Sequence, residues 1–151
     1  MENTDNILYK LDKIEELSFN LNNDQALLAS LSAENLRVHH FIQTIINLDR
    51  NQIKVRFGLK YTKDLIDIVA LEQMYTFVME DIHKVLDINR DEHRLNFKVD
   101  IIPAFLSVVI GGLRGAMFEK TRHTRIGDFP IPLLDARIIA KSNTFHVEEN
   151  I

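Results

Sequence analysis

The chain has 151 residues, of which 46% are hydrophobic and 26% are charged, and its net charge at pH 7 is −4. This composition is typical of one globular domain, and the lack of a basic excess argues against a sequence-independent nucleic-acid binder. There is no cysteine, which excludes disulfides and thiol chemistry, and the polar start M-E-N-T-D-N has no apolar signal segment behind it. We expect a cytoplasmic protein that binds no metal or other cofactor and does not insert into a membrane.

The first segment, Leu8 to Leu21, alternates imperfectly between apolar and polar residues. This pattern predicts a strand buried on one side, with Tyr9 and Phe19 on its apolar face. A polar break follows, and the stretch from Gln25 to Ala33 is compatible with either a short helix or a loop.

Two further strand-like segments, Leu36 to Leu48 and Ile53 to Tyr61, are joined by a short polar turn and predict a β-hairpin. The second has the strictest alternation in the chain. It predicts that the apolar residues Val55, Phe57 and Leu59 are buried and that the basic residues Lys54, Arg56 and Lys60 face solvent.

The segment from Leu65 to Met79 is ambiguous. At the strand period it forms one long strand, and at the helical period its apolar residues form an equally good stripe. The residues from Ala70 to Met74 favour a helix by propensity. The charged stretch from His83 to Lys98 shows no clear alternation and predicts an exposed connection.

A single helix is predicted from Pro103 to Thr121, because proline is tolerated in a first turn and basic residues suit a helix C-terminus. Each glycine inside it costs about 1 kcal/mol relative to alanine. Gly111 and Gly115 are four residues apart, as are Gly112 and Ala116, so these small residues share one side of the helix. They predict a close contact, either with another chain or, in a kinked helix, with the protein's own sheet.

The end of the chain has weaker signals. Two prolines alternate with bulky apolar residues between His123 and Leu134, which predicts an extended segment lying on the protein. The stretch from Asp135 to Phe145 is compatible with a short helix or a strand, and residues His146 to Ile151 are predicted to fray.

No catalytic signature stands out. The six histidines are scattered, without the spacing of a zinc site. His39 and His40 are adjacent in a predicted strand and therefore point to opposite faces. We expect His40 to be a hydrogen-bonded core or interface residue, and the chain to be a binding protein rather than an enzyme.

Three features together resemble the bacterial export chaperone SecB and its relatives. The first strand carries E-E-L-S-F at Glu15 to Phe19, the glycine-bearing helix carries Leu113, Arg114 and Thr121, and F-P-I-P-L-L-D-A follows from Phe129 to Ala136. The resemblance implies an α+β fold in which a four-stranded antiparallel sheet has a long C-terminal helix packed on one face. It also implies that Leu65 to Met79 is a strand and that subunits assemble into homo-oligomers, either dimers or tetramers.

The function implied by the resemblance is an ATP-independent molecular chaperone, or holdase, for unfolded polypeptide clients. The client-binding groove is then expected at Phe105, Leu106, Phe118, Phe129, Ile131, Leu133 and Leu134, and the oligomer interface at Gly111, Gly112, Arg114 and Gly115. Glu16 is expected on the outer sheet face, where relatives dock a translocase motor protein. A dedicated chaperone of one partner, such as a toxin–antitoxin pair, is a variant of this hypothesis.

Two other classes of function stay open. One is an oligomeric scaffold or adaptor that uses the same fold without chaperoning, and the other is an enzyme with an unrecognised site. Suppression of aggregation separates the scaffold from the holdase. A pocket with converging polar groups and perturbed titration would favour the enzyme.

Overall fold

The computed structural model describes residues 8–129, 131 and 134–148, which form a five-stranded sheet, a small hairpin and three α-helices. The sheet contains β1 (Tyr9–Leu21), β2 (Arg37–Asn47), β3 (Gln52–Lys63), β4 (Ile66–Met79) and β7 (Thr144–Glu148). The hairpin consists of β5 (Leu86–Asn89) and β6 (Arg94–Phe97). The helices are α1 (Gln25–Ala29), α2 (Ile102–Thr121) and α3 (Ala136–Lys141).

The order across the sheet is β1-β4-β3-β2-β7, and the first four strands are antiparallel to their neighbours. The short β7 adds to β2 in parallel. The predicted α+β class is therefore confirmed, whereas the predicted four-stranded antiparallel sheet is not: the sheet is mixed and has five strands. The stretch Asp135 to Phe145 holds both a helix and the start of a strand, and the fraying predicted from His146 is wrong as far as Glu148.

β4 fills nearly all of the ambiguous segment Leu65 to Met79, so the strand prediction is confirmed. It lies between β1 and β3 and pairs with both, and this ladder outweighs local helix propensity. The turn that leads into it uses two left-handed residues, Asp64 at φ 49° and Leu65 at φ 66°. Positive φ at both central residues is the pattern of a tight hairpin turn.

The alternation predicted for β3 is also confirmed. Val55 and Phe57 are 0% exposed and Leu59 is 2% exposed, while Lys60 faces solvent. Lys54 and Arg56 share the face of Lys60 and are half-buried by their neighbours. The apolar face of the sheet carries the helices and is called the helix side below; the opposite face is called the outer face.

The core lies between the helix side and α2, which packs across β3 and β4. Phe105 of α2 stacks on Phe77 of β4 with ring centroids 4.1 Å apart. α2 is also apolar and long enough to cross a membrane, with a mean hydropathy of 1.4, a test that core helices of globular proteins pass as well. Leu106, Val109 and Leu113 are each 0% exposed, and they seat one side of the helix on the sheet.

The stretch from His83 to Lys98 is more structured than predicted. It begins within a 3-10 turn at Ile82–Lys84 and contains the hairpin of β5 and β6. Val85 and Leu86 are 0% exposed and anchor the hairpin in the core. Most of the stretch is exposed as predicted, but the hairpin was not predicted, because these two buried residues are too few to produce a recognisable period.

Candidate binding groove

A groove of about 620 Å³ lies between α2 and the segment that follows it. From α2 it is lined by Gly111, Arg114, Gly115 and Phe118, and from the following segment by residues Gly127 to Phe129 together with Ile131. Its volume falls within the roughly 300–1,000 Å³ that is usual for ligand sites. The fold thus brings three residues of the predicted client groove together with three of the predicted oligomer interface.

The glycines of α2 explain why this groove is open. A Cβ at Gly111 or at Gly115 would meet no atom within 4 Å. Gly112 points elsewhere, since a Cβ there would overlap the hydroxyl of Tyr75 in β4. The predicted close contact with the sheet is confirmed for Gly112, whereas a contact of Gly111 and Gly115 with another chain stays a prediction.

The second wall of the groove exists because the chain turns back sharply after α2. The Thr121 carbonyl oxygen accepts hydrogen bonds from the backbone N–H of Thr124 at 2.9 Å and from its hydroxyl at 2.7 Å. A 3-10 turn at Arg125–Asp128 follows. Within it, a Cβ at Gly127 would lie 2.6 Å from the Thr121 carbonyl oxygen, so this close approach of two backbone segments requires glycine.

Arg125 fixes that wall in position. Its guanidinium lies 2.8 Å from the Asp128 carboxylate and 4.8 Å from the centroid of the Phe129 ring, and it donates to the Leu31 carbonyl at 3.2 Å. The Asp128 carboxylate is therefore neutralised at the rim, and the Phe129 ring is held beside it.

Arg114 supplies a cation to an otherwise largely apolar groove. Its guanidinium donates one long hydrogen bond, 3.4 Å, to the Ile131 carbonyl, and its Nε–H is buried without a partner. Burial raises the pKa of the nearby Tyr61 hydroxyl, and the positive charge of Arg114 opposes that rise. Arg114 thus keeps unused hydrogen-bonding capacity beside apolar walls.

Not every predicted groove residue reaches the groove. Phe118 is 56% exposed and lines it, and so do the half-buried Phe129 and Ile131. Phe105 and Leu106 are each 0% exposed, so their assignment to a surface groove is wrong: they lie on the side of α2 that packs against the sheet.

Leu134, at the end of the predicted set, is not part of the groove lining either. Leu134 is half-buried and packs against the core. Leu133 lies outside the described residues.

Two β-bulges in β1 change which residues share a face. Extra residues at Asp12 and Leu17 interrupt the register with β4 and reset the alternation. Glu16 is therefore on the helix side, where its carboxylate lies 2.5 Å from the Lys120 ammonium. The prediction that Glu16 lies on the outer face is wrong, and the interrupted alternation at Lys13 and Glu15 was the signal of the bulges.

β1 also presents an apolar surface beside α2. Tyr9, Leu11 and Ile14 lie on the helix side and are 41%, 40% and 52% exposed, because α2 packs mainly on β3 and β4 and reaches this part of β1 through the edge contact of Phe105 with Tyr9, at 5.1 Å between ring centroids. One edge of β1 pairs with β4, and in the described part of the chain no strand pairs with its other edge.

The two adjacent histidines bind different hydroxyl groups. His39 lies 2.9 Å from the Thr62 hydroxyl and His40 lies 3.0 Å from the Ser142 hydroxyl, on opposite faces as predicted. His40 is hydrogen-bonded as predicted, but it is exposed rather than in the core. Among the residues the structure describes, no group of three His, Cys, Asp or Glu side chains could hold a metal ion.

Comparisons with known proteins do not indicate a function for this chain. No family model matches this sequence, and no curated protein matches it. Among solved structures, the chain is similar to a protein of unknown function from Streptococcus agalactiae, with 10% identity and a TM-score of 0.42. That match covers 85% of this chain and 97% of the other.

Proposed function

We propose that this protein is an ATP-independent holdase of the SecB type, which binds extended apolar segments of unfolded polypeptides in the groove beside α2. The observation that carries this proposal is the open side of Gly111 and Gly115, where an added Cβ would meet no atom within 4 Å and which lies next to the exposed Phe118. Burial of apolar surface contributes about 25 cal/mol per Å², so one bulky side chain seated there contributes substantially to affinity.

The edge of β1 supports the same function. An extended client can add to this edge through backbone hydrogen bonds, while its alternate side chains meet Tyr9, Leu11 and Ile14. Long exposed edges usually invite aggregation, and natural proteins protect them. β1 carries two such protections, its bulges and the charged residues Lys10 and Lys13, so its exposed apolar side chains support the proposal more than its backbone edge does.

The order of the elements is consistent with a SecB-like fold, since four antiparallel strands precede a long helix on one face. The exposed residues Ala104, Ser107 and Val108, in the first half of α2, are uncharged and lie outside the lining of the groove. This outward side of α2 favours a homo-oligomer that leaves the groove open. We propose a cytoplasmic dimer or tetramer. Because Glu16 is paired with Lys120 on the helix side, we propose no docking of a translocase motor through Glu16.

The groove can be tested by filling it without disturbing the fold. Gly115→Leu places a bulky side chain into open space, and Gly115→Ala is the matched control because it raises helix propensity and leaves the groove nearly empty. We expect the wild type and Gly115→Ala to suppress aggregation of a chemically unfolded test protein, measured by light scattering, and Gly115→Leu to lose most of this activity. No suppression by the wild type, or full suppression by Gly115→Leu, contradicts the proposal.

A scaffold or adaptor is the second candidate, and the uncharged outward side of α2 favours it equally, because another subunit could occupy that side permanently. Size exclusion with light scattering separates the two. A stable oligomer that does not suppress aggregation identifies the scaffold, and a Gly115→Leu variant of lower mass places its interface on α2.

A further inference from the structure

The outer face of the sheet differs in charge from the rest of the protein. Across β1 to β4 its basic residues are Lys10, Lys13, Arg37, Lys54, Arg56 and Lys60, and its acidic residues are Asp12, Glu15, Asp67 and Glu72. These six positive and four negative groups leave an excess of two positive charges in a chain whose net charge is −4. Counting Glu148 of β7 leaves an excess of one.

A hollow of about 390 Å³ lies in the middle of this face. Its centre is a row of residues that stand side by side on four strands: Phe41 of β2, Gly58 of β3, Glu72 of β4 and Ser18 of β1. The hollow arises because Gly58 has no side chain and Ser18 has a short one. A Cβ at Gly58 would make only ordinary contacts, the nearest at 3.4 Å to the Leu71 carbonyl oxygen, so packing does not require glycine there.

One wall of the hollow is an aromatic ring combined with an arginine. Phe41 is 48% exposed, and the Arg56 guanidinium lies 5.3 Å from the centroid of its ring. Arg56 also pairs with the Glu72 carboxylate, which holds the guanidinium over the ring. Aromatic residues and arginine beside a concave surface are the composition typical of protein-binding hot spots.

We propose that the outer face docks an acidic polypeptide segment that seats one apolar or aromatic side chain against Phe41. The carboxylates of the partner would lie near Lys60, which lines the hollow and also pairs with Asp67, and near Lys54 on the same face of β3. This surface is on the opposite side of the sheet from the groove beside α2, so its partner is distinct from the clients proposed above.

The charge pattern favours a polypeptide over a nucleic acid. Lys13 lies 3.5 Å from Glu15, and Lys60 lies 3.5 Å from Asp67, so carboxylates interrupt the basic residues across the whole face. A phosphate backbone needs a continuous basic track and would be repelled by these carboxylates. A peptide, unlike a phosphate backbone, can carry acidic residues at the positions that meet lysines and uncharged residues at the positions that meet carboxylates.

The test uses a fluorescein-labelled peptide in which glutamate alternates with leucine around one central phenylalanine, and a second peptide with lysine in place of glutamate. We expect the acidic peptide to bind and the basic peptide not to bind, and the affinity to fall as salt is raised. Phe41→Ala should weaken binding about tenfold, as loss of a hot-spot aromatic usually does.

Phe145→Ala is the matched control, since Phe145 is 44% exposed on the neighbouring strand but lies on the helix side. Lys60→Glu should also weaken binding, whereas Lys84→Glu, at an exposed lysine of the 3-10 turn, should not. Melting curves by circular dichroism establish that each variant is folded before affinities are compared.

Three results would overturn the proposal. The first is equal binding of the acidic and basic peptides, and the second is unchanged affinity in both Phe41→Ala and Lys60→Glu. The third is a single-stranded oligonucleotide that binds more tightly than the acidic peptide, which would identify a nucleic-acid surface. Gly115→Leu should leave peptide binding intact, so a failure of the groove and a failure of the outer face can be told apart.

Discussion

Replacing glycine with alanine should change the stability of the fold in opposite directions at two positions of α2, Gly112 and Gly115. At Gly112 a Cβ would overlap the Tyr75 hydroxyl and lie 3.0 Å from Cζ and 3.1 Å from Cε1 of that ring. At Gly115 a Cβ would meet nothing within 4 Å. We therefore expect Gly112→Ala to destabilise the fold and Gly115→Ala to stabilise it, although both substitutions replace glycine with alanine in one helix.

The magnitude at Gly112 follows from how firmly Tyr75 is held. The residue is 1% exposed, and its hydroxyl donates a 2.6 Å hydrogen bond to Oε1 of Gln73, which is itself buried. Moving this ring costs about 1–3 kcal/mol in overpacking and about 1 kcal/mol if the hydrogen bond is lost, against a gain of about 1 kcal/mol in helix propensity. The net loss is about 1–3 kcal/mol, whereas Gly115→Ala keeps only the gain.

Thermal unfolding measures both effects. With about 2–4 °C per kcal/mol for a chain of this length, Gly112→Ala should lower Tm by several degrees and Gly115→Ala should raise it by a few. The double variant Gly112→Ala/Tyr75→Phe should recover part of the loss, because the overlapping hydroxyl is gone. A Tm for Gly112→Ala at or above the wild-type value would refute the packing of α2 on β4.

Two further predictions concern buried aromatic residues. Phe105→Ala should lower the free energy of unfolding, measured with denaturant, by about 3–5 kcal/mol because the Phe105 ring is 0% exposed. Phe118→Ala should lower it by under about 1 kcal/mol because Phe118 is 56% exposed. Equal losses in the two variants would contradict the assignment of Phe105 to the core. Burial raises the pKa of Tyr75 to about 12 from 10.0, so the folded state keeps its proton where the unfolded state loses it. Stability should be intact below pH 10 and fall by about 2–3 kcal/mol between pH 10 and 12. Tyr75→Phe should flatten this decline in alkaline melts, and an unchanged slope would contradict it.

The parts of the fold that sequence predicts well are those in which one physical signal dominates. Ile53 to Tyr61 alternates without interruption, and the observed β3 follows it in register and in burial. The helix from Pro103 to Thr121 begins one residue earlier than predicted and ends as predicted. In both elements the burial of one face determines the structure, and the spacing of the apolar residues along the sequence indicates that face directly.

The parts that sequence predicts poorly depend on distant partners. Leu65 to Met79 is a strand because β1 and β3 pair with it on both sides, which its own residues do not show. β7 forms because residues 43–47 of β2 are free to accept it in parallel. The groove is also predicted poorly from sequence. The glycine spacing predicts a contact, but it does not reveal that Gly112 faces the sheet and Gly115 faces open space.

The bulge at Asp12 shows how one residue sets the chemistry of both faces of the sheet. Without it, strict alternation from Tyr9 would direct Lys13 and Glu15 toward α2 and leave Ile14 on the outer face. With it, Ile14 joins the apolar surface beside α2, and Lys13 and Glu15 join the outer face. The inserted residue therefore adds Ile14 to the apolar edge proposed for clients and moves one basic and one acidic residue to the outer face, a change that strict alternation does not predict.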